Sequence, residues 1–153
     1  MWGAKLVRAG PLGYAKEVEN SQRVLKVLVY SDDVTVRASV RTALGRRPAE
    51  YISNVDLFEA ATEPAVISAV DAKPFDLIIL DGEAVPAGGM GVCRQLKDEI
   101  FNCAPILLIV GRAQDRWLAT WSGADAVVAH PIDPRALVSA AVSLLEERAT
   151  VAN

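Results

Sequence analysis

The chain has 153 residues, of which 52% are hydrophobic, and a formal net charge of −3 at pH 7. This length suits one domain with a substantial core and leaves no room for a second full domain. The Lys and Arg residues are scattered rather than gathered in a basic stripe, so we predict that the chain alone does not bind nucleic acid. No apolar run approaches the roughly 20 residues of a membrane span and the N-terminus lacks a secretory signal, which predicts a cytoplasmic protein.

The first 23 residues form a separate N-terminal extension in this interpretation. Gly and Pro are spread among mixed charges and no period is sustained, which indicates a mobile or loosely docked segment. Trp2 and Tyr14 are the residues best suited to anchor it. From residue 24 onward, short apolar runs alternate with helical patterns five times, as in repeated βαβ units. We predict strands at about 24–30, 51–55, 75–80, 105–110 and 124–129, and helices at about 33–46, 59–72, 89–99, 114–122 and 134–148.

Two of the predicted strands end at a carboxylate. The run 24–30 is almost unbroken by polarity and passes into an acidic turn that contains Asp32, and the run 75–80 passes into Asp81 and the Gly-rich loop 82–91. Such continuous apolar runs are typical of buried parallel strands. Ligands bind at the carboxyl ends of the strands in an open parallel sheet. Asp32 and Asp81 therefore share one site if their strands are neighbours.

The last predicted helix has a clear start signal. Asp133 offers an N-cap, and Pro134 stands at the first helical position. Residues 149–153 follow the predicted end of this helix, so we expect no attached output domain.

This pattern resembles the receiver domain of bacterial response regulators, over roughly residues 24–148. The matching motifs are the carboxylates after strands one and three, Pro105 at the start of strand four, the sequence 123–125 before strand five, and His130-Pro131 at its end. The resemblance implies an α/β, flavodoxin-like (βα)5 fold: a doubly wound parallel sheet with strand order 2-1-3-4-5, so that strands one and three are adjacent. It assigns residues 24–153 to a receiver domain.

The resemblance also implies the roles of individual residues. Asp81 matches the phosphoacceptor, and Asp32, Asp81 and the carbonyl of Glu83 match the positions that hold Mg²⁺. The chemistry explains these residue types, because a carboxylate that attacks a phosphoryl group meets oxygens of its own charge and needs a cation between them. Mg²⁺ takes such oxygen ligands and keeps some of its waters.

Several positions depart from the family pattern. Ser31 stands where the family has the first of two acids, and Val110 replaces the Ser or Thr that hydrogen-bonds the phosphoryl group, a bond that Val cannot donate. His130 replaces a Lys, so a fixed cation becomes a conditional one. Val127 replaces an aromatic residue of strand five, and Val85 makes the loop after the acceptor one residue longer. We therefore expect slow phosphorylation or poor coupling to conformational change.

The charge lost at Ser31 has two potential substitutes. Glu83 lies two residues after the acceptor and Asp33 lies two residues after Ser31, so either carboxylate could point into the pocket. The alternative is that both are solvated loop acids, which is the norm for exposed Asp and Glu.

Two tryptophans mark a second region of interest. Trp117 and Trp121 are spaced i,i+4 on the predicted fourth helix and therefore share one face. They either anchor a partner, for which Trp is well suited, or fill a gap against the sheet. With Val127, they define a predicted surface of helix four, strand five and helix five for a protein partner or a homodimer.

Three functions follow from these patterns. The first is an atypical single-domain response regulator that accepts a phosphoryl group at Asp81 from a histidine kinase or phosphotransfer protein and signals by protein contact. The second is a degenerate receiver that serves as a phosphorylation-independent binding or scaffold module. The third, an enzyme or a flavin-binding domain, is disfavoured because the acids after strand one would repel a bound phosphate. We predict the first function, with no enzymatic activity of its own.

Overall fold

Five parallel strands form one sheet in the computed structural model, which describes residues 23–152. The strand order is β2-β1-β3-β4-β5, which confirms the predicted order. The predicted extension, with Trp2 and Tyr14, lies outside the described residues apart from its last member, Arg23. The strands are β1 (Leu25–Tyr30), β2 (Val55–Ala60), β3 (Leu77–Asp81), β4 (Ile106–Val110) and β5 (Ala126–Ala129). The helices are α1 (Val34–Leu44), α2 (Glu63–Ala72), α3 (Gly89–Glu99), α4 (Trp117–Ser122) and α5 (Pro134–Ala152), with a 3₁₀ turn at Ala113–Asp115 before α4.

The central strands are apolar because both of their faces are covered. All five residues of β3 and all five of β4 are buried. One apolar cluster lies between the sheet and helices α1 and α5, and a second lies on the other face beneath α2, α3 and α4. This two-sided burial explains why the sequence shows continuous apolar runs rather than alternation.

The second strand differs from the prediction. It was expected at 51–55 and is found at Val55–Ala60, so the expected range was wrong by almost its whole length. The reason is that β2 is an edge strand, half-exposed and interrupted by two carboxylates, whereas the apolar signal came from Ile52, which is buried from a turn into the cluster beneath α1 and α5. Helix α2 correspondingly begins at Glu63, with Thr62 as its N-cap.

The sheet topology brings two strand ends together. β1 and β3 are paired in parallel, with Tyr30 beside Leu80. The residues that follow these two positions therefore emerge at the same edge of the sheet. Among the helices that the structure describes, none is long and apolar enough to cross a membrane.

Candidate functional site

Asp81 lies at the centre of a hydrogen-bonded cluster at the carboxyl edge of the sheet. Its carboxylate is buried, and the hydroxyl of Ser31, which is fully buried, donates to Oδ2 over 2.7 Å. The other oxygen, Oδ1, accepts the backbone N–H of Glu83 at 2.9 Å and lies 3.0 Å from Nε2 of His130. Residues from the ends of β1, β3 and β5 thus converge on one carboxylate, and both of its oxygens have partners.

His130 is held beside Asp81 by the end of β5. Its backbone N–H donates to the carbonyl of Val110 over 2.8 Å, which continues the pairing of β5 with β4 beyond the last strand residue. The imidazole is charged only when it is protonated. The contact with Asp81 is therefore a hydrogen bond from an uncharged ring to the carboxylate in one protonation state and an ion pair in the other.

Asp32 faces the loop that follows Asp81. Its Oδ1 accepts the backbone N–H of Val85 over 3.0 Å, and Val85 is the residue by which we expect this loop to be longer. A second tie comes from Tyr30, whose hydroxyl donates to the carbonyl of Ala87 over 2.5 Å. Burial, together with nearby carboxylates, raises the pKa of Tyr30. The end of β1 therefore holds the loop at two points.

The two potential substitutes for the lost charge lie in different places. Asp33 is the N-cap of α1, where its carboxylate accepts the N–H and the hydroxyl of Thr35, and these bonds lower the pKa of Asp33. Glu83 follows β3 and lines the same pocket as Asp33, together with Asp32 and Asp81. Its carboxylate lies against Gly111, where an added Cβ would stand 2.7 Å from Cδ of Glu83. Both acids therefore border the pocket, but the Asp33 carboxylate is engaged in capping α1.

The predicted magnesium ligands line one open pocket without forming a prepared metal site. Asp32, Asp81 and Glu83 supply oxygens of the kind that Mg²⁺ binds. However, three of the four carboxylate oxygens of the two aspartates already accept hydrogen bonds. These are both oxygens of Asp81 and Oδ1 of Asp32. Within residues 23–152, no group of three or more His, Cys, Asp or Glu side chains is placed to hold a metal ion. A Mg²⁺ ion bound here would have to compete with these hydrogen bonds for the carboxylate oxygens.

Val110 and Gly89 complete the surroundings of Asp81. Val110 is fully buried at the end of β4 and belongs to the apolar cluster beneath α3 and α4, so its side chain offers no hydrogen bond to the pocket. An added Cβ at Gly89 would stand 2.5 Å from the backbone oxygen of Asp81. Helix α3 can therefore start this close to Asp81 only with glycine at its first position.

The two tryptophans are exposed on α4, at 69% for Trp117 and 55% for Trp121. The guanidinium of Arg94 on α3 lies 5.5 Å from the centre of the Trp121 ring, and its Nη1 donates to the Trp121 carbonyl over 2.7 Å. Val127 is half-buried and packs against the cluster beneath α4. The exposed tryptophan surface therefore extends toward α3.

Some residues of the site carried no sequence signal. Arg37 on α1 donates to the backbone carbonyl of Ser31, and Tyr30 ties down the loop. Both stand in ordinary helical or strand patterns, and the groups they contact are identified only when the chain is folded.

Comparison with known proteins places this site in context. No protein-family model matches the chain. The chain is 49% identical over 126 residues to an uncharacterized response regulatory protein of Mycobacterium tuberculosis, found in strains CDC 1551 and H37Rv, with 82% of this chain and 95% of the relative covered.

Solved structures share the fold at lower sequence identity. A putative response regulator from Chloroflexus aurantiacus has a TM-score of 0.69 at 20% identity, covering 81% of this chain and 99% of that one. The chemotaxis response regulator CheY4 of Vibrio cholerae has a TM-score of 0.65 at 19% identity, covering 80% of this chain and 99% of that one.

Proposed function

The chain belongs to the response regulators, as a receiver domain, and from that premise we propose that Asp81 is its phosphoacceptor and that its output is contact with another protein. The observation that carries this proposal is the position of Asp81 at the end of β3, where its carboxylate borders an open pocket lined by Asp32, Glu83 and His130. The donor would be a histidine kinase or a phosphotransfer protein in the cytoplasm.

The proposed reaction is a transfer of a phosphoryl group to a carboxylate oxygen. An oxygen of Asp81 forms a bond to phosphorus while the bond between phosphorus and the donor's leaving group breaks, and the leaving group takes the electron pair. The carboxylates that surround the pocket repel an incoming phosphoryl group. We expect this transfer to be slow, because Ser31 brings a hydroxyl rather than a carboxylate for a bound cation.

The proposed acceptor can be tested by intact mass spectrometry after incubation with acetyl phosphate and Mg²⁺. We expect one phosphoryl adduct on the wild type and none on Asp81→Asn. Asp71→Asn removes an exposed carboxylate on α2 outside the pocket and should keep the adduct. No adduct on folded wild-type protein, or an adduct that survives in Asp81→Asn, would reject Asp81 as the acceptor.

A second variant tests the proposed effect of Ser31. Ser31→Asp places a third carboxylate beside those of Asp81 and Asp32, which should strengthen Mg²⁺ binding and speed adduct formation, since divalent cations are held by such groups. Titration with Mg²⁺, followed by NMR in the wild type and the variant, measures the first effect. Equal or weaker Mg²⁺ binding by the variant would show that the position of Ser31 does not limit the site.

A second candidate function is a phosphorylation-independent binding module. The contacts of Asp81 with Ser31 and His130 favour this function, because they give the Asp81 carboxylate hydrogen-bond partners without a metal or a phosphoryl group. The absence of an adduct on the wild type would support this function. The two functions share the proposed output surface of Trp117 and Trp121.

The output surface has its own test. If Trp121 anchors a homodimer, sedimentation velocity should show an assembly that grows with wild-type concentration and is lost in Trp121→Ala. Tyr51→Ala removes another exposed aromatic residue that lies before β2, away from α4, and should not change assembly. A wild type that stays monomeric would leave a heterologous protein as the proposed partner.

A further inference from the structure

We propose that Arg37 is a positioning residue for the Asp81 site, because it fixes the backbone of Ser31 so that the Ser31 hydroxyl reaches the acceptor carboxylate. The inference rests on the proposed role of Asp81 as the reactive group. Arg37 itself lies on the first half of α1 and does not line the pocket, so it would act on Asp81 only through Ser31.

The contacts of Arg37 join three elements. Nη1 donates to the backbone carbonyl of Ser31 over 2.6 Å, and Nε donates to Oε1 of Glu59 on β2 over 3.0 Å. The Arg37 side chain is only 15% exposed. A guanidinium is suited to this position because its planar fork can donate in two fixed directions at once. Arg37 therefore links α1, the edge strand β2 and the turn after β1.

The backbone of Ser31 is held by hydrogen bonds at both its N–H and its carbonyl. Its backbone N–H donates to the carbonyl of Ala60 over 3.2 Å, and its carbonyl accepts from Arg37. Its hydroxyl oxygen also accepts the N–H of Asp33 over 3.1 Å while it donates to Asp81. The fixed backbone sets the position of the Ser31 Cβ, and the bonds to Asp33 and Asp81 select the rotamer of the hydroxyl. The hydrogen bond to Asp81 thus depends on a chain of contacts that begins at Glu59.

Arg41 provides a matched control. It lies one turn after Arg37 on α1 and also forms an ion pair with Glu59, but its side chain is more exposed, at 53%. The Arg41 guanidinium donates to Oε2 of Glu59, whereas the bond to the Ser31 carbonyl comes from Arg37. Replacing either arginine removes one ion pair with Glu59, whereas only the replacement of Arg37 also removes the bond to the Ser31 carbonyl.

The proposal can be tested by a double-mutant cycle read by NMR. The probe is the amide resonance of Glu83, whose N–H donates to Asp81. We expect Arg37→Gln to shift this resonance, and Arg41→Gln to shift it much less. In the Ser31→Ala background, Arg37→Gln should add no further shift, because interacting residues give non-additive effects.

Two results would overturn the proposal. One is an unchanged Glu83 resonance in Arg37→Gln. The other is the same shift from Arg37→Gln in both backgrounds, which would mean that Arg37 acts by a route other than Ser31. If Arg37→Gln does not fold, Arg37→Lys keeps the positive charge but loses the two-directional fork, and the same comparisons apply to it. No phosphodonor is used, so this test can fail or succeed independently of phosphorylation at Asp81.

Discussion

Replacing Ser31 by Ala should destabilise the protein, because the substitution removes a buried hydrogen bond to a carboxylate. The Ser31 side chain is fully buried and Asp81 is 3% exposed, so water cannot readily replace the lost donor at Oδ2. A hydrogen bond to a charged group contributes about 1.5–3 kcal/mol, and the change removes one oxygen without opening a large cavity. We therefore expect the free energy of unfolding of Ser31→Ala to fall by about 1.5–3 kcal/mol.

Urea denaturation at neutral pH measures this loss. The midpoint should fall while the slope m stays constant, since the surface exposed on unfolding hardly changes. Ser39→Ala is the matched control. Its hydroxyl donates to the carbonyl of Thr35 on the exposed face of α1, and its removal should change stability by less than about 0.5 kcal/mol. If Ser31→Ala costs no more than Ser39→Ala, the bond to Asp81 does not contribute as we have reasoned.

Three further substitutions or treatments test other parts of the structure. Tyr30→Phe removes the hydrogen bond to Ala87 and should cost about 1 kcal/mol in urea denaturation. Because the pKa of Tyr30 is raised, its contribution is full below the ordinary value near 10 and is lost as pH rises through the folded-state pKa; the variant should lack this alkaline dependence. Burial raises the pKa of the Cys93 thiol to about 11, so iodoacetamide at pH 8 should alkylate it rapidly only after unfolding, as peptide mapping would show. Because the pKa of Asp33 is lowered by its bonds to Thr35, its capping contribution is present above the unfolded-state pKa and is lost as pH falls through the folded-state pKa. Asp33→Ala should therefore lose stability at pH 7 and show a smaller further loss on acidification, and equal acid dependence in wild type and variant would contradict this.

The proposed acceptor site differs from a metal-ready pocket because its carboxylates already accept hydrogen bonds. Asp81 is satisfied by a hydroxyl, a backbone amide and an imidazole, and Asp32 holds the loop through Val85. Buried polar groups are stable when they are hydrogen-bonded. A cation or phosphoryl group must therefore compete with existing bonds, which gives a physical reason to expect weak metal binding and slow phosphorylation.

The sequence by itself determined the fold class, and it predicted the place of the candidate site. Long apolar runs that end at Asp32 and Asp81 predicted buried parallel strands, and the family resemblance supplied the strand order that the structure confirms. Ser31, Val110 and His130 were also predicted from sequence to depart from the family pattern, because each changes the hydrogen bonding or charge of a position defined by the motif.

The tertiary structure decided what these residues contact. Asp32 binds an amide 53 positions away and Arg37 binds a carboxylate 22 positions away, and no local period encodes such pairs. The edge strand β2 was misplaced for a related reason: its half-exposed residues resemble a turn, while Ile52 is buried from outside any strand. Local patterns report which side chains avoid water. Hydrogen-bond partners are decided only when packing brings distant segments together.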